Sequence, residues 1–363
     1  MKKHIASILF LFLLSTFQLI AQSHSVKRLG IEQGLSNNYV VSITQDKQGF
    51  LWFATEEGLN KFDGTRFTTY YKNDLTQDNQ GITGNELNRV YADTKHPIIW
   101  IATQRDGLNA FNYNEQTFTA YQHNPEHPHS LITNDVTDIA PSTQHDDGLW
   151  ISTYYRGIEY LDITSGQFTH YNKSTVPSLP CDQTWTVLDG GDGNLYIGHV
   201  GSGFSIFSPK DKSVKNFRNE AGNPMSLPGN DVFCIIKDAN GNIWLGTNNG
   251  LALYGAANEN FITFKNNKND KYATLCSRIL SIRQLKDNRL WIASELNGIA
   301  ILNLTQSMFL SPEEISLEYI QEGADNRSLS NASARCIFQD SFDNIWIGTW
   351  GGGINFISSK PPL

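Results

Sequence analysis

Gly49-Phe50-Leu51-Trp52-Phe53-Ala54-Thr55-Glu56-Glu57-Gly58 is the stretch that decides the fold, because its pattern returns along the whole chain. The pattern is an aromatic residue, one free position, a small residue, Thr or Ser, then a glycine six or seven residues after the aromatic. It recurs at Trp100-Ile101-Ala102-Thr103, Trp150-Ile151-Ser152-Thr153, Tyr196-Ile197-Gly198-His199, Trp244-Leu245-Gly246-Thr247, Trp291-Ile292-Ala293-Ser294 and Trp346-Ile347-Gly348-Thr349. The spacings are 48, 50, 46, 48, 47 and 55 residues. A regular period of this size marks a repeat architecture, in which no copy buries its apolar faces alone.

Each copy reads as four strands. In the first, Val40-Val41-Ser42-Ile43-Thr44 is strand A and the segment through Trp52 is strand B. Leu59-Asn60-Lys61-Phe62 is strand C, and Phe67-Thr68-Thr69-Tyr70, after the Asp63-Gly64 turn, is strand D. No copy carries a sustained 3.6-residue period, so helix is expected to be minor. Seven four-stranded antiparallel sheets packed radially make an all-β, seven-bladed β-propeller. The small residue two after each Trp is expected to let neighbouring blades approach closely. The seventh copy lacks a fourth strand, and Ser25-Val26-Lys27-Arg28-Leu29-Gly30 has the length to supply it, closing the ring.

Ahead of the repeats, Met1-Lys2-Lys3-His4 and the apolar run Ile5 to Phe17 have the layout of a secretory signal, with cleavage expected after Ala21. Residues 1–21 are therefore expected to be a signal peptide and 22–363 the propeller. The alternative, an uncleaved anchor, has about 16 apolar-leaning residues, just under spanning length. No further apolar run of that kind occurs, so the mature chain is expected to be exported to the periplasm without a membrane span. Of 363 residues, 39% are apolar and the formal net charge is −8. That excludes a disordered chain and, for want of a basic excess, a nucleic-acid binder.

Gly34-Leu35-Ser36-Asn37-Asn38, followed by Gly49 to Thr55 and Gly58-Leu59-Asn60, resembles the two-component regulator propeller repeat. Ser328-Leu329-Ser330-Asn331 with Asn344 to Thr349 resembles it too, and the likeness runs over about residues 26 to 357. The resemblance implies the periplasmic sensor region of hybrid two-component regulators in Bacteroidetes-type bacteria, many of which sense oligosaccharides. Such proteins usually carry two propellers, an Ig-like domain, a membrane helix and a histidine kinase. None of the later parts follows here, so the chain reads as an N-terminal fragment or the product of a split gene. It is not expected to be an enzyme, and no cofactor or metal is expected. Expected partners are an oligosaccharide or other small periplasmic ligand, and a downstream sensor or kinase polypeptide or second propeller.

The B-to-C turns differ from blade to blade, as a recognition surface would. Tyr154, Tyr155, Arg156, Arg105 and Trp350 are the candidate ligand residues there, because aromatic faces stack on sugar rings and guanidiniums hydrogen-bond hydroxyls or carboxylates. Near the start of strand A the equivalent positions are Val41, Asn88, Thr137, Trp185, Phe233, Leu280 and Arg335, of which Trp185 and Arg335 are candidates for a central funnel. His199 replaces the usual Thr, which opens a lyase or hydrolase reading, although no second His occupies an equivalent position. A local hydrogen bond is the plainer expectation. His123, His127 and His129 are read as parts of a solvated loop, not as a metal site. The A-to-B turns, such as Asp46-Lys47-Gln48-Gly49 and Asp238-Ala239-Asn240-Gly241, are read as tight turns, since the ligands of a Ca²⁺ loop are absent. Cys181, Cys234, Cys276 and Cys336 do not align between adjacent blades, which favours free thiols. A binding module is the leading reading, with a propeller enzyme or a protein-interaction scaffold behind it.

Overall fold

A computed structural model describes residues 25–73, 81–264, 273–304 and 317–360. The expected leader, residues 1–21, lies outside them. Seven four-stranded antiparallel sheets follow one another along the chain. Blade one is Val40–Gln45 (β2), Leu51–Thr55 (β3), Gly58–Phe62 (β4) and Phe67–Tyr70 (β5), ordered from axis to rim. Blade two begins at Leu87–Ala92 (β6), three at Val136–Pro141 (β10), four at Thr184–Asp189 (β14), five at Val232–Lys237 (β18) and six at Ile279–Gln284 (β22). Each of these inner strands adjoins the inner strands on both sides, so they form a ring about the axis. Blade seven has Ala334–Gln339 (β26), Ile345–Thr349 (β27) and Ile354–Ile357 (β28), and its outer strand is Val26–Leu29 (β1). β1 pairs antiparallel with β28, Val26 opposite Ile357 and Leu29 opposite Ile354, as the sequence led us to expect.

The seam is fastened further. One guanidinium nitrogen of Arg28 lies among the carbonyls of Gly323, Asp325, Ser328 and Leu329, at 2.6 to 3.3 Å. The loops from outer strand to next inner strand each sink at least one aliphatic side chain: Leu35, Ile82, Leu131, Leu179, Leu227, Leu275 and Leu329 are all buried. On strand C, Asn60, Asn109 and Asn355 hold those loops through Ser36, Thr83 and Ser330.

The small residue of the repeat does what its position requires. A Cβ on Gly198 would lie 2.7 Å from the Val232 carbonyl, and one on Gly246 would lie 2.7 Å from Ile279. Both neighbours belong to the inner strand of the next blade. The repeat's Trp has a partner that sequence reading did not supply. In blade one the buried Asp46 accepts the backbone N–H groups of Gln48 and Phe50 on Oδ1 and the Trp52 indole N–H on Oδ2, at 2.8 to 3.0 Å. The same carboxylate–indole bond joins Asp93 to Trp100, Asp238 to Trp244 and Asp340 to Trp346. Burial alone would raise the Asp93 pKa, but the N–H groups of His96 and Lys95 and the Trp100 indole outweigh it and hold the carboxyl low.

Three blades depart from this. In blade three the turn starts at Ser142, and Trp150 bonds Asp189 of blade four instead. In blade four Tyr196 replaces Trp and bonds Asp192, while Gly190 leaves room for its ring, which a Cβ would meet at 2.3 Å. In blade six Leu285 stands where Asp would be, and the buried Trp291 indole N–H has no partner among the described residues. Trp244→Phe is therefore expected to cost about 1–2 kcal/mol more than Trp291→Phe, because only the first strips a buried carboxylate of its donor. Urea denaturation of both variants checks this, and equal losses would refute it.

Candidate functional site

Chain direction sorts the connections between two ends of the propeller. The B-to-C turns and the outer-to-inner loops share one end, here called the mouth, while the A-to-B and C-to-D turns share the other. At the mouth every inner strand is interrupted by a β-bulge after its first residue. The residues left unpaired are Val41, Asn88, Thr137, Trp185, Phe233, Leu280 and Arg335. A bulge frees a residue from the ladder and re-aims its side chain, so the repeat presents seven non-equivalent groups around one opening. Two are used between blades: Asn88 Nδ2 donates to the Val136 carbonyl at 2.7 Å, and Thr137 Oγ1 to the Thr184 carbonyl at 3.3 Å.

The aromatic bulge residues continue into a band. Tyr155 meets Tyr154 edge-on at 4.5 Å between ring centroids, Tyr154 lies 6.2 Å from Trp185, and Trp185 lies 5.8 Å from Phe233. The Arg278 guanidinium stands 4.3 Å over the Phe233 ring and reaches Glu295 at 3.3 Å. Across the seam the Arg335 guanidinium stands 4.4 Å over Trp350, whose edge is met by Tyr39 at 5.1 Å. Burial lowers the Arg335 pKa, with Cys336 opposing and Arg278 adding to the shift, while Glu295 and Glu56 also oppose it. Glu56 is raised by burial, against the pull of Arg335 and with the push of Glu86.

The seven residues expected from sequence thus divide. Tyr154, Tyr155 and Trp185 fall into one cluster, and Arg335 and Trp350 into another. Arg105 and Arg156 are exposed on their turns, apart from both sets of ring contacts. Arg278, Tyr39, Glu56 and Glu295 were missed. Arg278 and Tyr39 each sit one residue before strand A, a position whose residue type does not show which ring it will meet.

His199 is fully buried, with Nε2 2.8 Å from Ser205 Oγ and Nδ1 3.5 Å from Cys181 Sγ. Burial drops its pKa to about 4, against a backbone hydrogen bond at Gln183. The ring is neutral at pH 7 and has no open path to a ligand, which matches the local-bond expectation. His123 is tied by Nδ1 to the Leu131 carbonyl, 2.8 Å away. All four thiols are unpaired, and burial pushes Cys234 and Cys336 up to about 12.

A cleft of about 990 Å³ opens at the opposite end between blades three and four, lined by Trp150, Tyr160, Tyr171, Asp189 and Asp192 among others. Two of its carboxylates are engaged in holding the turns. Asp189 accepts from Thr143 and Trp150, and Asp192 from Asn194 and Tyr196. The mouth, by contrast, holds guanidinium edges and ring faces with unused capacity.

The description "Two component regulator propeller" fits residues 34–57, 226–249 and 328–351. The solved structure described as the extracellular domain of the hybrid two-component system BT3049 of B. thetaiotaomicron is 65% identical, with a TM-score of 0.83 over 93% of this chain. The chain carries two-component regulator propeller repeats. It covers 42% of that structure, and a 66-residue segment is 42% identical to histidine kinase P4 of Formosa agariphila, covering 5% of it. The chain thus spans less than half the length of these relatives. Virginiamycin B lyase from Staphylococcus aureus is 13% identical with a TM-score of 0.66, covering 93% of this chain and 100% of the lyase, which is a likeness of fold alone. Among the described residues no helix is long and apolar enough to cross a membrane.

Blade three also contains a buried ion pair that positions the loop before its inner strand. Glu159 is fully buried, accepts the Ile132 N–H at 2.9 Å and meets His170 Nδ1 at 3.1 Å. The bond to Glu159 raises the His170 pKa, against burial and with help from the Pro128 carbonyl. A raised histidine pKa gives stability that is present below the unfolded value and lost as pH rises through the folded one. His170→Gln is expected to destabilise the protein more at about pH 6 than at about pH 9. Denaturation at both values tests this, and a pH-independent loss would contradict it.

Proposed function

We propose that this propeller is a ligand-sensing element of a hybrid two-component regulator, that residues 22–363 act in the periplasm after removal of residues 1–21, and that its mouth binds an oligosaccharide. The observation that carries the reading is the aromatic band Tyr155–Tyr154–Trp185–Phe233, ending under the Arg278 guanidinium. Sugar rings present apolar faces that stack on aromatic rings and hydroxyls that planar donors can reach. A preformed, asymmetric rim of that kind suits a saccharide better than it suits a compact apolar ligand. The relative described as an extracellular domain supports the periplasmic setting, and the burial of His199 favours binding over turnover.

Sensing requires that ligand bind one arrangement of propeller and partner better than another, since equal affinity shifts nothing. The partner is a downstream sensor or kinase polypeptide or a second propeller. The mouth also exposes Ile31, Tyr71, Tyr155, Leu296 and Trp350, which favours a second reading in which the rim docks a protein.

A thermal-shift screen against neutral and charged oligosaccharides separates the two. At 100 times its dissociation constant a single-site ligand stabilises by about 2.7 kcal/mol. The shift is expected to vanish in Tyr154→Ala/Trp185→Ala. A flat screen with a cooperatively folding protein would overturn the saccharide reading and leave the docking one.

A further inference from the structure

Arg278 and Arg335 lie on successive blades, and each guanidinium is laid flat over an aromatic ring, Phe233 at 4.3 Å and Trp350 at 4.4 Å. Stacking fixes the plane of a guanidinium while leaving its N–H edge free, the geometry that serves planar recognition of an oxyanion. Arg278 is near enough to disfavour the charge on Arg335, in the same direction as burial. Glu295 bonds Arg278 at 3.3 Å, and its field also favours the charge on Arg335. Arg335 has no ion pair with a described residue, and Glu56 reaches it only through its longer-range field. A half-buried guanidinium with a second cation in range, neither committed to a buried carboxylate, gains from an incoming anion. Arg105 and Arg156, although closer to the expected turn site, have no such backing rings among the described residues.

We propose that the oligosaccharide bound at the mouth is acidic, and that the guanidiniums of Arg278 and Arg335 together take one of its anionic groups, a uronate carboxylate or a sulfate ester. This rests on the saccharide reading given above and narrows it to a chemical class. The aromatic band of blades three to five then stacks the adjoining sugar rings, so the charged unit lies towards blades six and seven.

Calorimetric titration tests this with matched probes on the protein and on R278Q and R335Q. Trigalacturonate and its methyl ester isolate the carboxylate. A kappa-carrageenan hexasaccharide and its desulfated form isolate the sulfate, and maltohexaose and xylohexaose supply neutral sugars. The expected result is binding of an acidic probe, loss of it on esterification or desulfation, and weakening by roughly tenfold or more in each variant. The probe that binds identifies the anion. Arg278 is exposed, so R278Q is expected to keep the wild-type melting temperature and to report on binding alone. Equal affinity for the charged and neutralised forms, or unchanged affinity in both variants, would overturn the acidic assignment while leaving a saccharide site. Binding of no probe, acidic or neutral, would overturn both.

Discussion

A ring of seven wedges is held only as firmly as its closing joint, and here that joint is made by the two ends of the repeat array. β1 pairs with β28 along its whole length, so blade seven is complete only when a segment preceding blade one folds onto it. Without it β28 would present an open edge to solvent. The joint reaches beyond the rim: Gly351 and Gly353 donate backbone hydrogen bonds to the Asn38 carbonyl, and Tyr39 packs on Trp350. Closure therefore also sets one wall of the mouth. Tyr39 and Trp350 come from opposite ends of the array, and Tyr39 packs against the ring that lies beneath Arg335.

Within the ring, the carboxylate–indole bond shows how a repeat tolerates change. Asp46 completes a turn and grips Trp52 with one side chain, so losing the Asp removes both contacts at once. Blade four makes three adjustments at once: Gly190, Asp192 and Tyr196 change together, and the phenol finds a carboxylate where the indole lost one. Blade three borrows its carboxylate from the next blade. Blade six makes no replacement, and the buried Trp291 indole N–H has no partner among the described residues. Its burial is enough to hold it, which fits the larger share of hydrophobic burial in the energetics of such a core.

Repeat reading finds what the copies share, and a binding site on a propeller is made of what they do not share. This is why blade number, strand order, the close approach at Gly198 and Gly246 and the closing strand were legible, while the mouth was legible only in part. Tyr154, Tyr155, Trp185, Arg335 and Trp350 stood out as aromatic or basic residues at turn or inner-strand positions. Arg278 did not, because nothing in Cys276-Ser277-Arg278 distinguishes it until Phe233 of the preceding blade lies beneath it. The bulges were equally hidden. A bulge is a slip in pairing register, and its residues, from Val41 to Arg335, share no side-chain chemistry by which sequence could mark them. The Asp–indole bond was hidden for the opposite reason: Asp in a tight turn is so ordinary that its second bond, six residues on, leaves no trace in composition.

The mouth that results is divided by charge and by chemistry. Blades three to five present rings, blades six and seven present guanidiniums, and blade one presents Glu56 beside Glu86 of blade two. Below them Arg89 pairs with Asp138 at 3.1 Å, and Arg283 lies 5.7 Å from the Phe338 ring. A backbone with near sevenfold symmetry offers a ligand seven equivalent poses, and only the side chains at the bulges and turns can break that degeneracy. Three sectors of different character leave a chain-like ligand one favoured direction across the opening. A fixed direction would suit the proposed sensing role, because a ligand held in one pose can favour one arrangement of neighbouring domains over another. The same repeat that makes the frame uniform thus makes its irregular positions the places where function is written.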